Sequence, residues 1–260
     1  MVDSEIKIGV CGGLDQVAQM APGYDYVELG VSNTLVPLQD DTVYAPTAIR
    51  LQELVPPVRA FNLFLPGDIR ITGPDVNWDT VQHYCQRAML RAAEVGARVV
   101  AVGSGGARRV PEGFSHALAW GQLVRFFNIA GEEAAKCDIT VAIEPLNSHE
   151  CNIVTSFLEG VQLAKDVDHA SVRVLADIYH FMMDAEPVDH ILQGPEWLVH
   201  VHLADTGRRF PGSGTYPLPR LFDILKEIGY TGMASIECSW GNDYTDETAR
   251  ALHFLRGLLV

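Results

Sequence analysis

Four times in its second half this chain runs through a short apolar stretch and stops on a side chain able to ligate a metal. VAIE ends at Glu144, VRVLAD at Asp177, LVHVH at His202 and MASIE at Glu237. Successive members of the series lie 33, 25 and 35 residues apart, room for one helix and the return strand of a βα unit. Strands joined by such crossovers are parallel, so their carboxyl ends lie on one side. In a closed barrel those ends converge on a single rim, where residues distant in sequence can surround one ion. The pattern therefore predicts an α/β fold, a single-domain (β/α)8 TIM barrel over residues 1–260. A length of 260 residues suits one such barrel, which typically needs about 250.

The stretch VAIEPLNSHE organises the rest. Val141, Ala142 and Ile143 suit a strand covered on both faces, and Pro145, lacking an N–H, turns the chain outward. Glu144 is thereby held at the strand end with no Lys or Arg nearby in sequence. A desolvated carboxylate needs a positive partner, so a metal ion or a distant arginine must supply it.

The remaining chain keeps the βα rhythm. IKIGVCG and YVELG read as the first two strands, with a helix near Leu14–Met20 between them, and RAFNLFL over 59–65 as the third. Apolar or small residues at 81, 84, 85, 88, 89, 92 and 93 predict a helix over 79–95, stopped by Gly96. RVVAVGSGG is the fourth strand, running into a glycine-rich loop in which Arg108 and Arg109 either cradle an anion or are simply mobile. Helices are predicted over 115–136, 155–167 and 187–192. Another is marked by Leu221, Ile224, Leu225 and Ile228 and stopped by Gly229, and a final one covers 242–259.

A balance of 19 basic against 33 acidic residues, net −14, disfavours nucleic acid and anionic membrane surfaces as partners. Five scattered cysteines without a CxxC pair point to reduced thiols in a cytoplasmic protein. Neither a signal peptide nor an apolar run of membrane-spanning length is visible.

Three carboxylates and one imidazole form a hard, oxygen-dominated donor set that suits Mn²⁺, with Co²⁺ or Mg²⁺ as alternatives, better than a closed structural Zn²⁺ site. EPLNSHE, LADIYH, HLADTGRRFPGSG and IECSW together resemble the sugar isomerase/epimerase family of metal-dependent barrels. That family includes D-tagatose and D-psicose 3-epimerases, hydroxypyruvate isomerase and inosose-processing enzymes. The resemblance implies one divalent ion held by Glu144, Asp177, His202 and Glu237, with Glu144 and Glu237 also transferring protons. It implies that Glu150, His180 and Arg208 bind oxygens of a small sugar, and that the chain acts as an epimerase, isomerase or ketocyclitol dehydratase. Relatives of this kind often form dimers or tetramers, so a homo-oligomer is expected.

Residue by residue, Arg208 could instead balance Glu150, and His180, on the loop after strand six, could orient a carboxylate. Glu28 and Asn62 are expected to face the pocket as substrate contacts, and His200 to be a core histidine. Arg208 and Arg209 leave a phosphorylated substrate open. The same barrel also serves endonuclease IV, but the extra histidines its larger metal cluster requires are missing: Asn62, the 103–106 loop and GRRFPGSG stand there instead.

Overall fold

The computed structural model describes residues 5–260. Eight strands, Lys7–Gly12 (β1), Tyr26–Gly30 (β2), Val58–Asn62 (β3), Val99–Val102 (β4), Thr140–Ile143 (β5), Val172–Asp177 (β6), Leu198–Leu203 (β7) and Met233–Ile236 (β8), close in sequence order into a barrel. Every neighbouring pair is parallel, and β1 pairs with both β2 and β8. Both faces of the strands are covered, which is why they read as near-continuous apolar runs.

Outside the barrel lie Asp41–Gln52 (α1), Trp78–Glu94 (α2), the single turn Gly105–Arg108 (α3), His116–Ala135 (α4), Phe157–Val167 (α5), Ile178–Met183 (α6), Leu218–Glu227 (α7) and Tyr244–Leu259 (α8). Their starts are written in side chains. Asn77, Ser115, Ser156 and Asp243 each accept a hydrogen bond from a backbone N–H in the first turn of α2, α4, α5 and α8. Gly96 (φ 81°) and Gly229 (φ 66°) supply the left-handed backbone that follows α2 and α7. No helix among the described residues is long and apolar enough to cross a membrane.

Several sequence expectations need correction. The region expected to be a helix near Leu14–Met20 forms only a 3-10 turn, Val17–Gln19. The segment predicted over 187–192 is likewise 3-10, Val188–Gln193. Helix α1 escaped the sequence reading because Pro46 sits inside it and only Tyr44 and Leu51 are buried, so no apolar stripe marks it. Strand β3 ends at Asn62, since Leu63 takes a left-handed conformation (φ 45°) that a ladder cannot continue.

In the glycine-rich loop after β4 both arginines turn to backbone carbonyls. Arg108 is completely buried, and its guanidinium donates to the carbonyls of Glu144 (2.7 Å), Val154 (3.2 Å) and Val102 (3.4 Å). Arg109 donates to the carbonyls of His149 and Glu150. Both arginines thus staple the loop after β5 to the loop after β4, at the rim where Glu144 emerges.

Candidate functional site

Side chains alternate along a strand, so the residues facing the barrel axis rise in steps of two. A low layer contains Tyr26, Ala142 and Leu175, with Met233 packed against it. Counting upward, Ala142 leads to Glu144, Leu175 to Asp177, and Met233 through Ser235 to Glu237, while on β7 His200 leads to His202. Glu144, Asp177, His202 and Glu237 meet at the rim, one donor atom from each lying within 4.8 Å of the others. His202 Nδ1 is 3.1 Å from Glu144 Oε1 and 3.7 Å from Glu237 Oε2.

Gly103 makes room for this arrangement, because a Cβ there would overlap the carboxylate of Glu144. Asp177 supplies the test of whether the group suits a cation. Its Oδ1 caps α6 by accepting from the Tyr179 N–H (2.7 Å), whereas Oδ2 is buried without any hydrogen-bond partner. A buried carboxylate oxygen is costly to leave unsatisfied. A divalent ion among three carboxylates and an imidazole would satisfy it, and this donor set suits a hard or borderline ion.

Directly beneath, Glu28 holds His202 in orientation. His202 Nε2 lies 3.0 Å from Glu28 Oε1, and an ionised carboxylate can only accept, so Nε2 carries a hydrogen and Nδ1, which meets Glu144, is the nitrogen left to ligate a cation once it gives up the proton it shares with that carboxylate. The other oxygen of Glu28 accepts from His200 Nε2 (2.8 Å) and Ser235 Oγ (2.5 Å), and Tyr26 Oη lies 2.7 Å from that Oγ. This corrects the expectation that Glu28 contacts substrate. It is 0% exposed and sits two residues before the end of β2, one layer below the pocket floor. His200 is the buried core histidine predicted. Cys11 also approaches Glu28 and His202. Burial and the surrounding carboxylates push its thiol well up, and both oxygens of Glu28 are taken, so this trio is the poorer cation site.

The environments of the two outer carboxylates differ in direction. Burial alone would raise Glu144, but His202, His180 and Arg108 outweigh it and hold the carboxyl below its usual value. Burial pushes Glu237 up to about 7; His202 and Arg208 oppose the shift, while Glu144 and Asp177 reinforce it. Pairs of carboxyls pushed apart in this way divide into one that stays ionised and one that exchanges a proton near neutrality. His202 is held well above its ordinary value: burial disfavours its charge, but Glu28, Glu237 and Glu144 prevail.

Around this group stand the other predicted residues. His180, on α6 rather than on a loop, accepts at Nδ1 from the backbone N–H (3.2 Å) and side-chain amide (2.8 Å) of Asn147. Its Nε2–H therefore faces the cluster, 3.5 Å from Asp177 Oδ2 and 4.0 Å from Glu144 Oε1. The Asn147 amide also donates to Glu150 Oε1 (3.0 Å). Sequence reasoning missed Asn147, although its place three residues beyond a strand-end glutamate was a usable signal. Asn62 Nδ2 donates to Glu237 Oε1 (2.9 Å) and Arg208 Nη2 to Glu237 Oε2 (2.8 Å). The guanidinium of Arg208 lies 4.5 Å over the Tyr179 ring and 3.6 Å from Glu150, so it balances two carboxylates at once.

The rim opens into two adjoining lobes. One, of ≈ 270 Å³, is lined by Glu144, Glu150, His180, Arg208 and the 103–106 turn. The other, of ≈ 500 Å³, extends over the ends of β1, β2 and β8, and Leu63 and Glu237 border both.

A family model described as xylose isomerase-like TIM barrel matches residues 14–258. The chain belongs to that family. Among curated relatives, the D-psicose 3-epimerase of Ruminiclostridium cellulolyticum is 28% identical over 119 residues, covering 45% of this chain and 41% of the relative. The match thus spans about two-fifths of that relative's length. Among solved structures of this fold, the D-allulose 3-epimerase of Methylomonas sp. in complex with D-allulose superposes with a TM-score of 0.84 at 22% identity, covering 97% of each chain. The apo 3-keto-D-glucoside 4-epimerase of E. coli gives 0.79 at 20% identity, covering 96% of this chain and 100% of the other.

Proposed function

We propose that this protein is a divalent-metal-dependent epimerase of a ketose or related keto-sugar, removing and returning a proton at the carbon beside the carbonyl. The observation that carries this reading is the pair Glu144 and Glu237, at the ends of β5 and β8 on either side of His202 and brought together with it and Asp177. Relatives named 3-epimerases and 4-epimerases support it. Glu144, Asp177, His202 and Glu237 would hold the ion, Mn²⁺ by the character of the donors with Co²⁺ or Mg²⁺ as alternatives. When bound, a divalent ion supplies Lewis acidity that makes the proton beside a carbonyl easier to remove.

The chain's own residues do the rest. Glu237, held by Asn62 and Arg208, takes a proton from one face of the carbon. Glu144 addresses the opposite face, because β5 and β8 are three strands apart in a ring of eight. His180 directs Nε2–H at an oxygen on which negative charge develops, Asn147 having fixed its tautomer. Glu150 and Arg208 bind hydroxyls. Arg208 is the only Lys or Arg lining either lobe among the described residues, and it is already paired with Glu237 and Glu150. Arg209 is paired with Glu247. A free sugar therefore fits better than a phosphorylated one.

The test is a panel of keto-sugars incubated in deuterated water with the Mn²⁺-loaded protein and its Glu144→Gln and Glu237→Gln variants, metal content being measured throughout. Each variant should lose roughly 10²- to 10⁴-fold in turnover. Each should still exchange the proton of one epimer, a different epimer in each case, without inverting the centre. A variant that keeps near-normal turnover with its metal retained would refute epimerisation and favour aldose–ketose isomerisation.

A further inference from the structure

Apart from Glu237 and Asn62 at its border, the larger lobe has no task in the proton transfer just described. The smaller lobe, at ≈ 270 Å³, already approaches the lower end of volumes that small ligands occupy, about 300 Å³. The ≈ 500 Å³ beside it is room for a second group. Its walls are unlike those of the first lobe. Cys11, Gly12, Gly13, Gly30 and Gly241 keep it wide, and Trp240 and Tyr244 give it an aromatic side. Among its lining residues there is no Lys or Arg, and the only carboxylate is Glu237 at the border, so a charged group has nothing to meet there.

The aromatic side is rigid. Trp240 stacks on Phe210 (ring centroids 6.3 Å apart, planes 8° apart) and meets Tyr244 edge-on at 5.2 Å, and its buried indole N–H has no hydrogen-bond partner. Gln16 and Asn33 add amides whose oxygens are engaged by the Gly13 N–H and the Thr34 hydroxyl, while their NH₂ groups donate to nothing among the described residues. At the waist stands Leu63, 56% exposed and held at φ 45°. A bulky residue in that region is strained, and such strain persists where its surroundings over-determine it. Gly30 and the Ser32 N–H, which donates to the Leu63 carbonyl at 3.3 Å, pack against it from β2 and the turn after it. Leu63 thus presents an apolar wall between the two lobes.

Resting on the epimerase reading above, we infer that the larger lobe binds a second, uncharged ring joined through oxygen to the reacting keto-sugar, so that the preferred substrate is a glycoside rather than a bare monosaccharide. The ring lies against Trp240 and Tyr244 and accepts hydrogen bonds from Gln16 and Asn33, while the keto-sugar passes Leu63 to reach Glu237. Rings stacked on aromatic side chains gain beyond simple burial.

The test compares 3-keto-D-glucose with phenyl 3-keto-β-D-glucopyranoside, the same ring with and without the second group, on the Mn²⁺-loaded protein. The glycoside should have a kcat/KM roughly tenfold higher. Gly13→Phe narrows the lobe at a position where an added Cβ meets only ordinary contacts, and Trp240→Leu removes the aromatic face against which the ring lies. Both should bring the ratio toward one. A ratio near one in the unaltered protein, or equal losses on both sugars in both variants, overturns the inference. Saturation-transfer NMR with phenyl β-D-glucopyranoside, which has no carbonyl and cannot react, separates the two readings. Saturation of the phenyl protons that disappears in Gly13→Phe supports the lobe even if no keto-sugar is epimerised. A phenyl ring that stays unsaturated while keto-sugars turn over overturns the lobe and leaves the epimerase reading standing.

Discussion

Replacing Glu28 by Gln tests whether the buried layer under the rim governs cation affinity without touching the cation. Glu28 accepts from His202 at 3.0 Å, His200 at 2.8 Å and Ser235 at 2.5 Å. Its carboxylate is held well below its usual range: burial opposes this, but His202 and His200 outweigh it. Gln keeps the shape and one acceptor oxygen, but it removes the charge and places an NH₂ where a second acceptor stood. Whichever way the amide turns, one histidine Nε2–H loses its acceptor. Two donors, His200 and Ser235, share one oxygen of Glu28, so the amide oxygen turns to them and the NH₂ faces His202, whose ring is then favoured as the Nδ1–H tautomer, which points a hydrogen where a lone pair is needed. A hydrogen bond to a charged group contributes about 1.5–3 kcal/mol, or roughly 10- to 100-fold in affinity, the range found when residues supporting metal-bound histidines are altered. Titration calorimetry with Mn²⁺ on the metal-free protein should show that weakening, with the circular dichroism spectrum retained. An unchanged Mn²⁺ affinity in a folded variant would refute the argument that Glu28 fixes the tautomer of His202.

Three further outcomes follow from the site. Gly103→Ala places a Cβ on the carboxylate of Glu144, so Mn²⁺ affinity should fall by more than about tenfold while the fold persists; undiminished binding by calorimetry would show that Glu144 is not needed as a ligand. Cation binding should strengthen with pH, because Glu237, pushed up to about 7, is protonated below that value and ligates only once ionised. Calorimetry in buffers of different ionisation enthalpy should detect proton release at pH 6 and less at pH 8, and equal release at both would contradict the assignment. Arg208→Ala removes one of the two influences that hold Glu237 down, so the acidic limb of the kcat/KM profile should move toward higher pH and KM should rise; an unmoved limb would place Arg208 outside the site.

The barrel and the four rim residues could be read from the sequence because each rests on a local signal. An apolar run sets the strand, and the first polar side chain after it sets the rim, as with Ile143 before Glu144 and Ile236 before Glu237. The second layer has no such signal. Glu28 lies inside YVELG with two apolar or small residues still to come, and nothing local says whether a carboxylate there faces the pocket or the core. The register decides it, since pairing Glu28 with Cys11 on one side and Ala60 on the other puts it below the rim. Helix α1 failed for a related reason: with Pro46 inside and most of its surface exposed, only tertiary contact identifies it.

Arg108 shows the same limit from the opposite side. A guanidinium in a glycine-rich loop beside a rim suggests an anion site, because arginine binds carboxylate and phosphate well. Here its donors meet backbone carbonyls at both ends of the rim loop that follows β5 instead. The Val154 carbonyl already accepts from the Leu146 N–H, whereas the Glu144 carbonyl, followed by a proline that offers no N–H, takes a donor from Arg108. Arg108 thereby fixes the backbone of Glu144 itself, through the carbonyl at 2.7 Å, and contributes to holding its carboxyl ionised. Arg108, for which the sequence left an anion cradle or a mobile loop open, thus acts one hydrogen bond away from the proposed chemistry, through the position and charge of a proposed base.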